Sequence, residues 1–259
     1  MGRVDWAMHA EEAGNPGGPP LLLIHGFLSS NVQWDLNRDQ LGRTFRLIMV
    51  ELMGHGRSDT PDDRDAYGPA HVLTELERIR EHFDIDRWWT CGQSLGGAIA
   101  TRYCLTHPER ALGLIFTNTR AAFGIGRPGV TTEGVPPLTE IESTREIRVH
   151  PIYATRLPGH LKERLIAAAD TTPLHVTRHA TSHRDSWRSV EQMPNLEVPV
   201  MLVNGRWESA FQASLDEARA AITNIEIVDL EGGHAINIEQ ADAFNHAVLT
   251  FVERHESGE

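Results

Sequence analysis

Residues 88–100 read WWTCGQSLGGAIA, and the run changes character at its centre. Residues 88–91 are apolar and aromatic, the composition of a buried strand, while Ala98-Ile99-Ala100 begins a stretch that continues as a helix to Leu105. Between them Gly92-Gln93-Ser94-Leu95-Gly96 fits the pattern G-x-S-x-G. A serine on so tight a strand-to-helix turn needs small residues on both flanks for the backbone to close. Its hydroxyl then stands out at the strand's C-terminal end. Five positions with three fixed recur by chance, so the weight comes from the strand before and the helix after. A glycine-rich helix start with an incidental serine cap is the bland alternative.

On either side, β-rich apolar runs alternate with helix-period segments, which predicts an α/β fold with one mostly parallel central sheet flanked by helices. An edge strand is expected near residues 4–10, followed by a Pro/Gly turn cluster at 15–20. Further strands are expected at 21–24, 45–51, 112–117, 198–203 and 225–230. Residues 69–83 read as a helix, with Pro69 in its first turn and Val72, Leu76, Ile79 and Phe83 recurring at spacings of three and four. The rhythm breaks over 119–186, which predicts a helical insertion with helices around 161–169 and 174–183. Alternation then resumes, with helices expected near 211–221 and 238–254.

Composition bounds the partners. The chain has 259 residues, is 40% hydrophobic and contains 22 glycines, ordinary globular proportions. Surface scaling gives about 73% of the unfolded surface buried, enough for a core without disulfide or metal staples. No apolar run is long enough to span a bilayer. The segment MGRVDWAMHAEEAG has no apolar centre, so no secretory signal is expected, and Trp6 stands where a myristoylation signal wants Ser or Thr. The expectation is a soluble, cytoplasmic protein with no membrane partner. A net charge of −12 argues against a nucleic-acid partner. Cys91 and Cys104 read as buried free thiols, and the single lysine, Lys162, lies in a polar KER sequence unsuited to a lysine nucleophile.

A serine nucleophile needs a base and an oxyanion site. His25-Gly26-Phe27 ends one expected strand, so its amides can point over the C-terminal sheet edge. Gly232-Gly233-His234 follows the last strand, and its glycines let the chain turn the imidazole toward the same edge.

With these residues in hand, the chain resembles the α/β-hydrolase superfamily over essentially its whole length. The matching segments are HGF (25–27), GHGRSD (54–59), GQSLGG (92–97) and GGH (232–234), in the family's order. The resemblance implies Ser94 as nucleophile, His234 as general base and then acid, and the backbone amides of Phe27 and Leu95 as oxyanion donors. It implies a core of residues 1–118 and 187–259 with residues 119–186 as a helical cap. GHGRSD is expected to shape the loop beside the site rather than perform chemistry. The third triad member departs from the usual aspartate: in Asn204-Gly205-Arg206-Trp207-Glu208 the slot holds Glu208, with Asp185, Asp229 and Glu231 as alternatives. His25, Gln93 and Trp207 adjoin these motifs and are expected to contact substrate.

The implied activity is a serine-triad hydrolase cleaving a small carboxylic ester through an acyl-enzyme, with no metal and no cofactor. Thioesters, lactones and C–C bonds use the same parts, and hydroxynitrile lyases and ligand receptors share the fold. Ser94 argues against the aspartate-nucleophile dehalogenases and epoxide hydrolases. The expected partner is a small-molecule acyl substrate, and the chain is expected to be a monomer or homodimer. Two other patterns fail on context. Gly124-Ile125-Gly126-Arg127-Pro128-Gly129 matches G-x-G-x-x-G, but its prolines prevent a helix from starting there. His175, His179 and His183 have helical spacing, but the outer two would stand about 12 Å apart along the axis, too far for one zinc. A cap helix lined with histidines that face solvent or the cavity is expected instead. Residues 119–186 hold nine basic and seven acidic groups, so the segment carries +2 against −14 for the rest. A positive lid would steer an anionic acyl group; a solvated surface with balanced charges is the plainer alternative.

Overall fold

The computed structural model describes residues 7–124 and 141–257. In chain order the main elements are β1 (His9–Gly14), β2 (Pro20–Ile24), α1 (Arg38–Leu41), β3 (Arg46–Glu51), α2 (Pro69–His82), β4 (Trp88–Gly92), α3 (Leu95–Thr106) and β5 (Ala111–Thr117). There follow α4 (Gly159–Asp170), α5 (Leu174–Ser182), β6 (Val200–Gly205), α6 (Ser209–Ala221), β7 (Glu226–Leu230), α7 (Ile236–Glu239) and α8 (Ala241–Glu256). The seven strands form one sheet in the order β1-β3-β2-β4-β5-β6-β7. Only β1 is antiparallel to its neighbour.

The central strands are buried on both faces, which is why they read as unbroken apolar runs rather than as alternations. Period two still sorts their side chains. Leu22, Ile24, Trp88 and Phe116 pack with Leu76 and Ile79 of α2, Ile99 and Tyr103 of α3, and Phe211 of α6. Leu21, Leu23, Trp89 and Ile115 face the other way, onto Trp34, Leu41 and the α8 residues Phe244, Val248 and Phe251. Each such side chain contributes about 1.5–3 kcal/mol by leaving water. α2 begins as its sequence implies, with Gly68 as N-cap and Pro69 at the first position. The parallel registers pair Ile24 with Gly92, Gly92 with Phe116, Thr117 with Val203, and Gly205 with Leu230. The C-terminal ends of five strands therefore meet along one edge.

Several boundaries differ from expectation, and two of the differences have a visible cause. The edge strand runs over His9–Gly14 rather than ending near residue 10, because the polar HAEEAG pairs along the whole of β3 and Glu12 meets Arg46 across the ladder. The last helix is broken in two at Gln240, whose φ of −135° and ψ of 51° are not helical. Asn237 is drawn inward there, bonding to Gln33 and Asn37. Cys91 and Cys104 are free and buried, and burial pushes the Cys104 thiol up to about 12. Among the described residues no helix is long and apolar enough to cross a membrane.

Between β5 and β6 the described residues contain helices and short helical turns but no strand. α4 rests Leu161 and Leu165 on Ile238, and Arg164 pairs with Asp35. α5 seats Val176 against Gly54, where a Cβ would lie 2.2 Å from Val176 Cγ1. His175, His179 and His183, the last just past α5, are partly exposed and do not line the cavity, where a face toward solvent or the cavity was expected. His175 Nε2 meets the Thr60 carbonyl, His179 packs on the Tyr67 ring, and His183 Nε2 meets the Arg64 carbonyl. They clasp α5 to the loop before α2. The glycine pattern of 124–129 lies, beyond Gly124, outside the described residues.

Candidate active site

Ser94 sits between β4 and α3 with φ 54° and ψ −116°, a left-handed conformation that costs a non-glycine residue about 1–3 kcal/mol. Its flanking glycines are required by backbone proximity. A Cβ on Gly92 would lie 2.1 Å from the Gly96 carbonyl oxygen, and one on Gly96 would lie 2.1 Å from that of Ile24. The turn is braced by the Gln93 amide donating to Ile24 O at 3.0 Å and the Ser94 amide facing Thr117 Oγ1 at 3.4 Å.

Beside it, the 25–28 loop passes close enough that a side chain on Gly26 would stand 3.2 Å from Ser94 Cβ. Leu95 opens α3, so its amide lacks a carbonyl one turn below. Among the described residues neither the Phe27 nor the Leu95 amide donates a hydrogen bond, and both residues line the same cavity as Ser94.

Two buried histidines hold this loop. His55 Nε2 accepts the Leu28 amide at 3.2 Å, and its Nδ1 lies 3.0 Å from Met53 O. His25 Nε2 accepts the Leu52 amide at 3.0 Å, with Nδ1 2.7 Å from Gly26 O. An Nε2 that accepts must be unprotonated, so the proton sits on Nδ1 in both rings. Burial first, then the neighbouring His55, lowers His25 to about 3; burial lowers His55 to about 4. Both are neutral braces. His25 therefore does not line the cavity, contrary to expectation: its two nitrogens are taken up by backbone.

His234 and Glu208 come from the loops after β7 and β6. Those loops touch at the backbone: Gly205 would place a Cβ 2.1 Å from Gly233 O, and the Trp207 amide donates to Gly232 O at 2.9 Å. Asn118 joins β5 to the same place, donating to Gly205 O and accepting from Gly205 N. The result is a 2.9 Å separation between His234 Nδ1 and Glu208 Oε1, an ion-pair contact in which Nδ1 is not aimed along a hydrogen-bond direction. Desolvation pulls the imidazole pKa down, but the Glu208 charge and then Glu239 outweigh it, and His234 stands above its ordinary value. The alternative carboxylates are engaged elsewhere. Asp229 accepts from Asn204, Glu231 holds Arg206 and the Trp207 indole, and Asp185 pairs with Arg184.

Ser94, Leu95, Phe27, Glu208 and His234 open together on a cavity of about 660 Å³. Its far wall comes from the segment between β5 and β6, including Ile141, Ile147, Val149, Tyr153 and Leu157. Gln93 lines it, and its Nε2 donates to His234 O at 3.0 Å. Trp207 does not: it is 48% exposed, and its indole donates to Glu231 under the Arg156 guanidinium. Gly54 and Gly56 of GHGRSD have positive φ, and a side chain on Gly56 would strike the Glu51 carboxylate. Four residues at the site carry no sequence pattern: Asn118, Arg120, Arg156 and Glu239. Each is a single polar residue in a loop or a short helix; only the fold brings Arg120, Arg156 and Glu239 to the cavity and Asn118 to Gly205.

Compared with known proteins, residues 19–140 match the family model of the alpha/beta hydrolase fold. A Bacillus subtilis protein that carries the name 2-succinyl-6-hydroxy-2,4-cyclohexadiene-1-carboxylate synthase is 27% identical over 90% of this chain and 89% of its own. A proline iminopeptidase of Neisseria gonorrhoeae is 30% identical over 40% of this chain, which spans about a third of that relative (34%). The solved structure of an esterase from Rhodococcus sp. ECU1013 superposes with a TM-score of 0.81 at 22% identity, covering 95% of this chain and 94% of that one. The chain has the α/β-hydrolase fold.

Proposed function

We propose that the protein is a serine hydrolase that cleaves a small carboxylic ester through an acyl-enzyme, with residues 119–186 as a cap. The observation that supports it most is the left-handed Ser94 opening on one cavity with the His234–Glu208 contact. Ser94 Oγ attacks the ester carbonyl carbon as its proton passes to His234 Nε2. The Phe27 and Leu95 amides donate to the oxygen that gains charge. The adduct collapses, the C–O bond to the alcohol breaks, and the alcohol oxygen takes the proton from His234. Water then adds to the acyl carbon, giving a proton to His234, and Ser94 leaves with that proton as the acid is released. Glu208 keeps the imidazole in its Nδ1–H form and stabilises the imidazolium. Catalytic hydrogen bonds commonly tighten only around substrate, which accommodates the off-line Nδ1 contact.

Treatment with an organophosphonate followed by peptide mapping tests this. Label on Ser94 alone, with turnover of p-nitrophenyl butyrate that Ser94→Ala abolishes, supports it. Label on another serine, or full activity in Ser94→Ala, refutes it. One observation favours a second reading, the likeness over 90% of the chain to a protein named as a synthase. The same serine and histidine would then serve a reaction other than ester hydrolysis, without an acyl-enzyme. In that case p-nitrophenyl butyrate is not turned over and no acyl adduct accumulates.

A further inference from the structure

Carboxylates outnumber basic residues 36 to 24 in this chain, so partners for arginine are plentiful. Many arginines elsewhere have them: Arg46 pairs with Glu12, Arg80 with Glu77, Arg145 with Asp170 and Arg206 with Glu231. The cavity is different. Of the four arginines that line it, Arg184 pairs with Asp185, while among the described residues Arg120, Arg148 and Arg156 form no salt bridge.

Arg120 is half-buried, three residues past β5, and its side chain makes no hydrogen bond among the described residues. It stands near enough to His234 for its charge to lower that imidazole. A partly desolvated guanidinium without a partner keeps a cost that no contact offsets. Arg156 approaches from the inserted segment. Its Cζ lies 4.5 Å from the Trp207 ring centroid, and its Nη1 is 3.4 Å from where a Gly233 side chain would begin. Stacking fixes the guanidinium plane and leaves its N–H edges available. The carboxylates of the wall are already committed. Glu146 accepts the amides of Glu142 and Ser143, Glu208 faces His234, and Glu239 accepts the Gly233 amide.

We propose that Arg120 and Arg156 form an anion subsite beside His234, and that the substrate is the monoester of a short dicarboxylic acid. Its free carboxylate is held by these guanidiniums while its ester carbonyl lies over Ser94. The inference rests on the serine-hydrolase reading and adds a charged acyl group to it. A guanidinium presents paired N–H donors that match a carboxylate, which an apolar acyl chain would leave unused. The net charge of −12 repels an anion at a distance, and Arg148 in the cavity wall works against that repulsion.

The test compares mono-p-nitrophenyl glutarate with its neutral methyl diester, after subtraction of the uncatalysed rates. The protein should favour the anion by about tenfold or more in kcat/KM. That preference should collapse in Arg120→Gln, in Arg156→Gln and in the double variant, while Arg120→Lys keeps part of it. Arg156 is exposed, so its variant remains informative should Arg120→Gln fail to fold. Turnover of both esters without preference, or a ratio that the double substitution leaves unchanged, overturns the subsite while keeping the hydrolase reading. Turnover of neither ester overturns the hydrolase reading, and calorimetric titration with glutarate then decides the subsite alone. Binding that the double variant weakens about tenfold supports it; binding that is absent or unchanged by the substitutions overturns it.

Discussion

His55 accepts the amide hydrogen of Leu28 across 27 residues of chain, at 3.2 Å, and so fixes a residue whose φ is +54°. The Phe27 ring packs edge-on against the same imidazole, 5.7 Å between centroids. The loop that offers the Phe27 amide to the cavity is thus held from behind by a ring that never reaches the cavity itself. His55→Ala leaves the Leu28 amide and the Met53 carbonyl without partners in a buried site, at about 1–3 kcal/mol each. If Phe27 is an oxyanion donor, a shift of its amide by about 1 Å should lower kcat for an activated ester by roughly 10²-fold, with KM less affected. Steady-state kinetics beside a urea melt separates the two effects.

The same histidines make the fold acid-sensitive. Their folded pKa values, about 3 for His25 and about 4 for His55, lie below the ordinary 6.5. The unfolded chain therefore takes up protons first as the pH falls. This stabilisation is complete above 6.5 and is lost as the pH drops toward 4, at about 1.4 kcal/mol per pH unit for each ring. Urea melts at pH 6 and pH 5 should show this slope, and in His55→Gln it should be shallower by one proton.

Glu208→Gln keeps the shape of the side chain and removes the charge that holds His234 above its ordinary pKa. On the proposed mechanism kcat falls by about 10⁴-fold, and the acidic limb of kcat/KM moves to lower pH. Glu208→Asp keeps the charge but retracts it by about a bond length, and should lose roughly 10²-fold. A pH–rate profile of each variant checks the order and the direction. Near-native kcat in Glu208→Gln would transfer the role to another group.

Ser94→Gly should separate stability from activity. Glycine adopts φ 54° without the steric cost that serine bears there, so the variant should gain about 1 kcal/mol while turnover is lost. A denaturant midpoint equal to or below that of the native protein would show that the turn stores no strain.

The tight turn at Ser94 was legible because its physics is local: backbone atoms 2.1 Å from a would-be Cβ demand glycine at Gly92 and Gly96, and the sequence records that demand. The alternation of strands and helices was legible for a similar reason, since burial on both faces writes apolar runs into β2 and β4. The polar β1 becomes a strand only by pairing with β3, and the break at Gln240 follows from Asn237 reaching Gln33, 204 residues away. Neither leaves a local mark. Adjacency to a motif gave the neighbourhood of His25 and Trp207 but not the direction of their side chains. Arg120 and Asn118 are single residues whose positions matter only once β5 lies beside β6.

The touching loops after β6 and β7 also set a timetable. During synthesis the serine turn can form once β4 has paired with β2, yet on the proposed assignment its base and acid emerge only with the final two strands. Domains complete themselves as the chain is made, N-terminal parts first. A ribosome-bound chain that ends before β7 would be inert toward esters, however well its first four strands had assembled. Reactivity toward an organophosphonate during refolding would then report closure of the β6–β7 edge, making the protein a clock for its own assembly.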